Sequence, residues 1–335
     1  MRISKLYLLM VLATSGHALA ADLALTPWAP SLNAEAVTIL NTHTRLAAST
    51  RDGLQLLDAK GAELARFNGN FSSLDTRAAG TQTLVASLDN DRQQALLISL
   101  DATAKTFGKP LYLPTRDYAV NGLCLYRDSA ANLFVFLVGE EGKGEQWLVG
   151  NGATLLSEPQ RVRGLPLPPS AQFCQVDDAA NRLVVNEENV GWWAYPAHPE
   201  ADVKRTPVAV FDNPKREAGA MALVPGGVVT LDPKTAQLHL FQQTAERWVE
   251  QASLNLPGLK EPEQLSVNDQ QLGWMPTAMT TNISKTAVYS AGVLTVTVSL
   301  PAATLNSILP VLKLPGGITV PSLPDTLSAQ SSLQF

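Results

Sequence analysis

The stretch GLCLYRDSAANLFVFLVGEEGKGEQWLV, residues 122–149, decides the fold class, because its layout recurs in QFCQVDDAANRLVVNEENVGWWAY, residues 172–195. Each copy opens on a short apolar run with one cysteine, Cys124 or Cys174. Each continues through an aspartate followed by Ala-Ala-Asn, an apolar run, a Glu-Glu turn and a run carrying Trp147 or the Trp192-Trp193 pair. Runs of this length, rich in β-branched, aromatic and Leu residues and bounded by turn formers, read as strands. A spacing of about 50 residues between units falls in the range of propeller blades. Two similar hairpins of a β-sandwich are the competing reading.

Outward from this repeat the same rhythm holds. RLAASTRDGLQLLDAKGAEL (45–64), QTLVASLDNDRQQALLISLD (82–101) and GGVVTLDPKTAQLHLFQ (226–242) each set two apolar runs around a turn of Asp, Asn, Gly or Lys. Helical periodicity is hard to find. The expected fold is all-β, a β-propeller of about five to six four-stranded blades drawn from residues 21–272. A ring of five would be incomplete, leaving a strand edge that needs cover from the C-terminal segment or from a partner.

Residues 273–335 differ in composition. Lys285, Lys313 and Asp325 are the only charged residues there, in a chain that is 16% charged. Pro301, Pro310, Pro315, Pro321 and Pro324 argue against a helix or a central strand in the last part. Residues 287–300 read as one or two strands, and the remainder as a poorly ordered Leu/Pro/Ser-rich tail. A shifted reading frame from Gly273 is a second account of the lost charge.

The other end sets the compartment. Arg2 and Lys5 precede an apolar run from Leu6 to Ala13, and Ala18-Leu19-Ala20 supplies a small-x-small cleavage signal. Residues 1–20 are therefore read as a signal peptide, placing the protein in the periplasm or outside the cell. The apolar run is far shorter than the roughly 20 residues of a membrane span. The whole chain has 25 basic and 30 acidic side chains, a net charge of −5. Cutting the leader removes Arg2 and Lys5 and no acid, which leaves 23 against 30, or −7. Such a surface does not favour nucleic acid or anionic lipid. It suits a metal cation, or an anion presented together with one.

Cys124 and Cys174 are the two cysteines. In an oxidising compartment they are a disulfide candidate, with two buried thiols as the alternative. Their spacing fits no zinc motif. There is no G-x-S-x-G elbow, P-loop, dinucleotide fingerprint or H-E-x-x-H. GEEGKGE (139–145) is glycine-rich, but its three glutamates would repel phosphate, so it reads as a hairpin turn.

The positive functional signal lies in residues 120–200. G-L-C-L-Y (122–126), G-x-x-E-Q-W (142–147), V-R (162–163), V-D-D (176–178), L-x-V-x-E-E (183–188) and W-x-Y-x-A-x-P (193–199) occur in that order. Together they resemble the middle blades of the β-propeller phytases, exported calcium-dependent enzymes that remove phosphates from phytate, myo-inositol hexakisphosphate. The resemblance implies Ca²⁺ held by clustered carboxylates, which a hard cation with six to eight oxygen ligands requires. The ions would bridge to phosphate oxygens and activate a water for in-line attack.

Carried over position by position, Glu187 matches a calcium ligand and Glu141 an active-site carboxylate in the hairpin turn. Arg77, in SSLDTR, matches an arginine of the family's N-N-V-D-V-R strand. Thr50-Arg51-Asp52 stands where paired lysines are expected, leaving Arg51 as a substrate-binding candidate. Gln172 stands in place of a ligand glutamate and keeps only a neutral carbonyl for the metal. Ala218-Gly219-Ala220 replaces an E-G-L element with a second ligand glutamate, and Glu140 replaces a lysine. The early D-D-P-A-I-W element is missing. Asp177 and Asp178 read as acids that close a turn, and the tryptophans as packing between blades. This pattern is similar to the incomplete N-terminal propeller of two-domain phytases. It implies as ligand phytate or another phosphorylated small molecule, or as partner a full catalytic phytase domain.

Overall fold

The computed structural model describes residues 21–22, 24–27, 32–41, 43–213, 215–224, 226–245, 247–272, 275–284, 294–299 and 332–334. The expected signal peptide, residues 1–20, lies outside them, as do residues 285–293 and 300–331 of the low-charge segment. Among the described residues there is one three-residue 3₁₀ turn, Glu140–Gly142, and otherwise strands.

The strands form five four-stranded antiparallel blades, each laid down in chain order from the centre outward. Blade one runs Ala36–Ile39, Thr44–Ser49, Gly53–Asp58, Glu63–Phe67; blade two runs Phe71–Ala79, Gln82–Asp89, Gln94–Asp101, Thr106–Phe107. Leu111–Tyr112 also pairs with the third strand of blade two. Blade three runs Val120–Arg127, Asn132–Gly139, Lys143–Asn151, Thr154–Pro166; blade four runs Cys174–Asp177, Arg182–Glu187, Gly191–Pro196, Thr206–Val210. Blade five runs Met221–Val224, Gly227–Asp232, Gln237–Gln243, Trp248–Asn255, with Ala21–Asp22 added in parallel to its outer strand. The repeat read from the sequence is thus blades three and four.

A sixth sheet stands between blades five and one. Its inner strand, Gln264–Leu272, lies against Met221–Val224 on one side and Ala36–Ile39 on the other. The strand order is Ala24–Pro27, Leu294–Ser299, Ser332–Gln334, Met275–Ser284, Gln264–Leu272, so both ends of the chain contribute. The inner strands therefore follow one another around a central channel, and the sixth returns to the first.

The apolar runs are continuous because blades are buried on both faces. In Asn132–Gly139, Phe134, Phe136 and Val138 pack toward blade four with Cys174, Val176, Leu183 and Val185. Leu133, Val135 and Leu137 of the same strand pack toward blade two with Leu84, Ala86 and Leu97. Side chains alternate across a strand, so a strand sandwiched between two neighbours needs apolar residues at every position. Aspartates then end the strands. Asp58, Asp101 and Asp128 each accept backbone N–H groups two to four residues on, closing Asx turns. Cys124 and Cys174 form a disulfide between the inner strands of blades three and four, with Cα atoms 5.8 Å apart.

Candidate functional site

In an antiparallel blade the turn from second to third strand and the connection to the next blade emerge at the same end of the channel. The turn from first to second strand emerges at the other. This separates the sequence-predicted residues. Glu141 in Glu140–Gly142, Glu187 at the close of Arg182–Glu187, Arg51 between Thr44–Ser49 and Gly53–Asp58, and Gln172 in the connection into blade four all lie at one end. Arg77, near the close of Phe71–Ala79, lies at the other.

At the first end a buried amide gathers the resemblance positions. Asn186 Oδ1 accepts the backbone N–H groups of Gln172 and Phe173, both at 2.8 Å, and its Nδ2 donates to the Ala218 carbonyl at 2.8 Å. Asn186 is 1% exposed. Gln172, Ala218 and the adjacent Glu187 are therefore neighbours, and the positions matched to three acidic ligands do converge. Two of the three are neutral here. Glu187 is itself engaged: its Oε2 accepts Trp193 Nε1 at 2.6 Å and Arg205 Nη1 at 3.4 Å, with the guanidinium 3.9 Å above the Trp193 ring. Set against six to eight oxygens, one ion-paired carboxylate and one neutral amide do not fit calcium. Among the described residues no group of three or more His, Cys, Asp or Glu is placed to hold a metal ion.

Glu141 is exposed, in a left-handed conformation (φ +56°) that precedes Gly142 at φ +77°. A Cβ at position 142 would sit 2.5 Å from the Leu167 carbonyl oxygen, so glycine is required there. Arg51 is exposed, and among the described residues it forms no ion pair. Next to Glu188, burial pushes the Glu217 carboxyl up, while Lys234, 3.4 Å away, pulls it down.

Arg77 has a different setting from the one expected for a phosphate contact. Its side chain reaches from blade two to blades three and four. Nε donates to Asp178 Oδ2 at 3.0 Å, and Nη1 to Asp75 Oδ1 at 3.0 Å and the Thr76 carbonyl at 2.9 Å. Nη2 donates to the carbonyls of Leu125 at 2.6 Å and Val176 at 3.0 Å. All five guanidinium N–H groups thus have protein acceptors. Asp75 also accepts the Leu125 and Thr76 N–H groups, both at 2.7 Å. Burial pushes the Asp75 carboxyl up, and the Arg77 charge and these N–H groups pull against it. The V-D-D acids divide their work. Asp177 closes the turn through Ala180 N–H and pairs with Arg182 at 2.9 Å, whereas Asp178 belongs to the Arg77 clasp.

Three arrangements had no sequence signal. One is the Asn186 hub. Another is the buried Asp232–Arg216 pair, from which Arg216 Nη2 donates to His239 Nε2, leaving Nδ1 to donate to Glu250 Oε1 at 2.8 Å. The third is a cavity of about 790 Å³ at the Arg77 end of the channel.

No protein-family model and no curated protein matches the sequence. Among solved structures the chain is similar to one of the nidogen/laminin complex, at a TM-score of 0.52 and 10% identity, covering 78% of this chain and 90% of that one. It is also similar to the Cps50 (Swd1) β-propeller domain of Myceliophteria thermophila, at a TM-score of 0.49 and 12% identity, covering 78% and 82%. At 10% identity the likeness to the first of these speaks to the fold alone. Among the described residues no helix is long and apolar enough to cross a membrane.

Proposed function

We propose that this is an exported, phytase-like propeller that binds a phosphorylated small molecule, an inositol phosphate, without hydrolysing it at an appreciable rate. The observation that carries this reading is the Asn186 hub. It keeps the three ligand-matching positions together, while Gln172 and Ala218 bring no charge and Glu187 is neutralised by Arg205. Each missing carboxylate removes a strong calcium contact, so Ca²⁺ binding is weak and no water is activated through it. Fewer acids at this end also lessen the repulsion of phosphate, which the exposed Arg51 can meet directly.

The competing reading is a working Ca²⁺-dependent phosphomonoester hydrolase, favoured by the motif order over residues 120–200 and by the retained Glu141 and Glu187. Phosphate release from phytate with and without Ca²⁺, beside an active phytase as positive control, separates the two. Turnover comparable to the control overturns the binding reading. Calorimetry with myo-inositol hexakisphosphate then tests binding itself, and no heat at millimolar ligand would end it. A full catalytic phytase domain is the partner to try if the free ligand gives none.

A further inference from the structure

We propose that the opposite mouth of the channel, at the Arg77 end, is a separate site for an uncharged cyclic polyol. The cavity there measures about 790 Å³, within the roughly 300–1,000 Å³ of small-molecule sites. The Arg77 clasp forms part of its wall, tying blades two, three and four together across the channel. Blade four adds Gln175, Asp177 and Arg182, and blades one and five add Ile39, Leu223 and Val224. The blade-four side is thus polar and the side of blades one and five mostly apolar, with Thr38 and Gln243 as its polar members.

Charge decides the class of ligand. Every guanidinium N–H of Arg77 is taken, and Asp75 and Asp178 are its partners. Arg182 donates to Asp177 and to the Gln243 side-chain Oε1 and stacks over Trp248 at 4.5 Å, and its Nε is buried away from the cavity without a partner among the described residues. A phosphate entering here would find no free Arg77 donor and would face the Asp177 and Asp178 carboxylates. A cation would find each of those acids already paired with an arginine. The remaining hydrogen-bonding side chains are neutral. The Gln175 amide and the Thr76 hydroxyl line the cavity, and neither has a hydrogen-bond partner among the described residues. A ring of hydroxyls has this pairing of properties: O–H groups for the amide and the hydroxyl, and a C–H face for Ile39, Leu223 and Val224. The site lies at the end of the channel away from Asn186, so it stands or falls independently of any phytase-like activity.

The test is calorimetry on the full chain with myo-inositol and D-glucose as probes and inorganic phosphate as competitor. Saturable binding of either probe in the millimolar range is expected, weakened about tenfold (about 1.4 kcal/mol) by Gln175→Leu. Thr76→Val should weaken it as well, while Glu187→Gln at the other end should leave it unchanged and phosphate should not compete. The proposal is overturned if neither probe binds saturably, if both Gln175→Leu and Thr76→Val bind as the parent does, or if phosphate displaces the probe. Unfolding curves of the two variants confirm that any loss comes from the site and not from the fold.

Discussion

Replacing Arg77 by Met separates two roles that this residue could have. If Arg77 were chiefly a phosphate contact, its loss would weaken ligand binding and leave stability alone. The geometry predicts the reverse. Arg77 is the cation between Asp75, 8% exposed, and Asp178, and it caps two carbonyls on inner strands of two further blades. Arg77→Met leaves the Asp75 carboxylate buried beside an apolar side chain. Removing one partner of a buried pair costs about 3–5 kcal/mol. Urea unfolding followed by tryptophan fluorescence should show the midpoint falling with the slope unchanged. Arg77→Met combined with Asp75→Asn should recover part of the loss, because the uncompensated charge is then gone; that non-additivity is the mark of direct coupling. Inositol phosphate affinity, measured below the unfolding transition, should be unchanged. A loss below about 1 kcal/mol, the value of an ordinary hydrogen bond, would refute the clasp. So would an affinity that falls while stability holds.

Three further outcomes follow from other parts of the fold. The Cys124–Cys174 disulfide closes a loop with a sequence separation of 50, worth about 4 kcal/mol in the loop-entropy account, so reduction or a double Cys→Ala change should lower stability by about that amount in denaturant titrations. Asn186→Ala removes three hydrogen bonds at a buried position and should cost about 2–4 kcal/mol, read as a lower thermal midpoint. Glu250 is held below the ordinary glutamate range chiefly by its hydrogen bond to His239; a depressed carboxyl contributes stability above its unfolded value, near 4.5, that is lost as pH falls through its folded value. Glu250→Gln should therefore reduce the stability lost as pH falls below about 4.5, measured by unfolding at each pH.

The fold was legible because blades repeat and because both faces of each are buried. LFVFLV (133–138) could not be an exposed strand, and its repetition as RLVV fixed the unit. Detail at the turns was less legible. Matching Ala-Ala-Asn to Ala-Ala-Asn pairs Asn132 with Asn181, but Asn132 begins a strand while Asn181 is in the turn at φ +50°. Its counterpart is Ala131, at φ +64°, so the repeat slips by one residue where blade four has the extra aspartate. That slip hid the role of Asp178, which reads as a turn acid and instead pairs with Arg77, 101 residues away. A contact across that separation leaves no local pattern. The same holds for Arg77, whose partners come from the inner strands of three consecutive blades that only their stacking brings together.

The two ends of the channel show why the fold can be read more surely than the chemistry. Asn186 holds its neighbours through backbone groups, the N–H groups of Gln172 and Phe173 and the Ala218 carbonyl. Those bonds run through backbone groups, so the hub does not depend on what the side chain of residue 172 is. The clasp at the other end works through side chains, and neither Arg77 nor Asp75 can change without leaving a buried group unpaired. The second aspartate of V-D-D, Asp178, is thus part of what holds three blades together. A sequence likeness of this kind measures the scaffold first. The activity has to be judged from the side chains that the scaffold no longer needs.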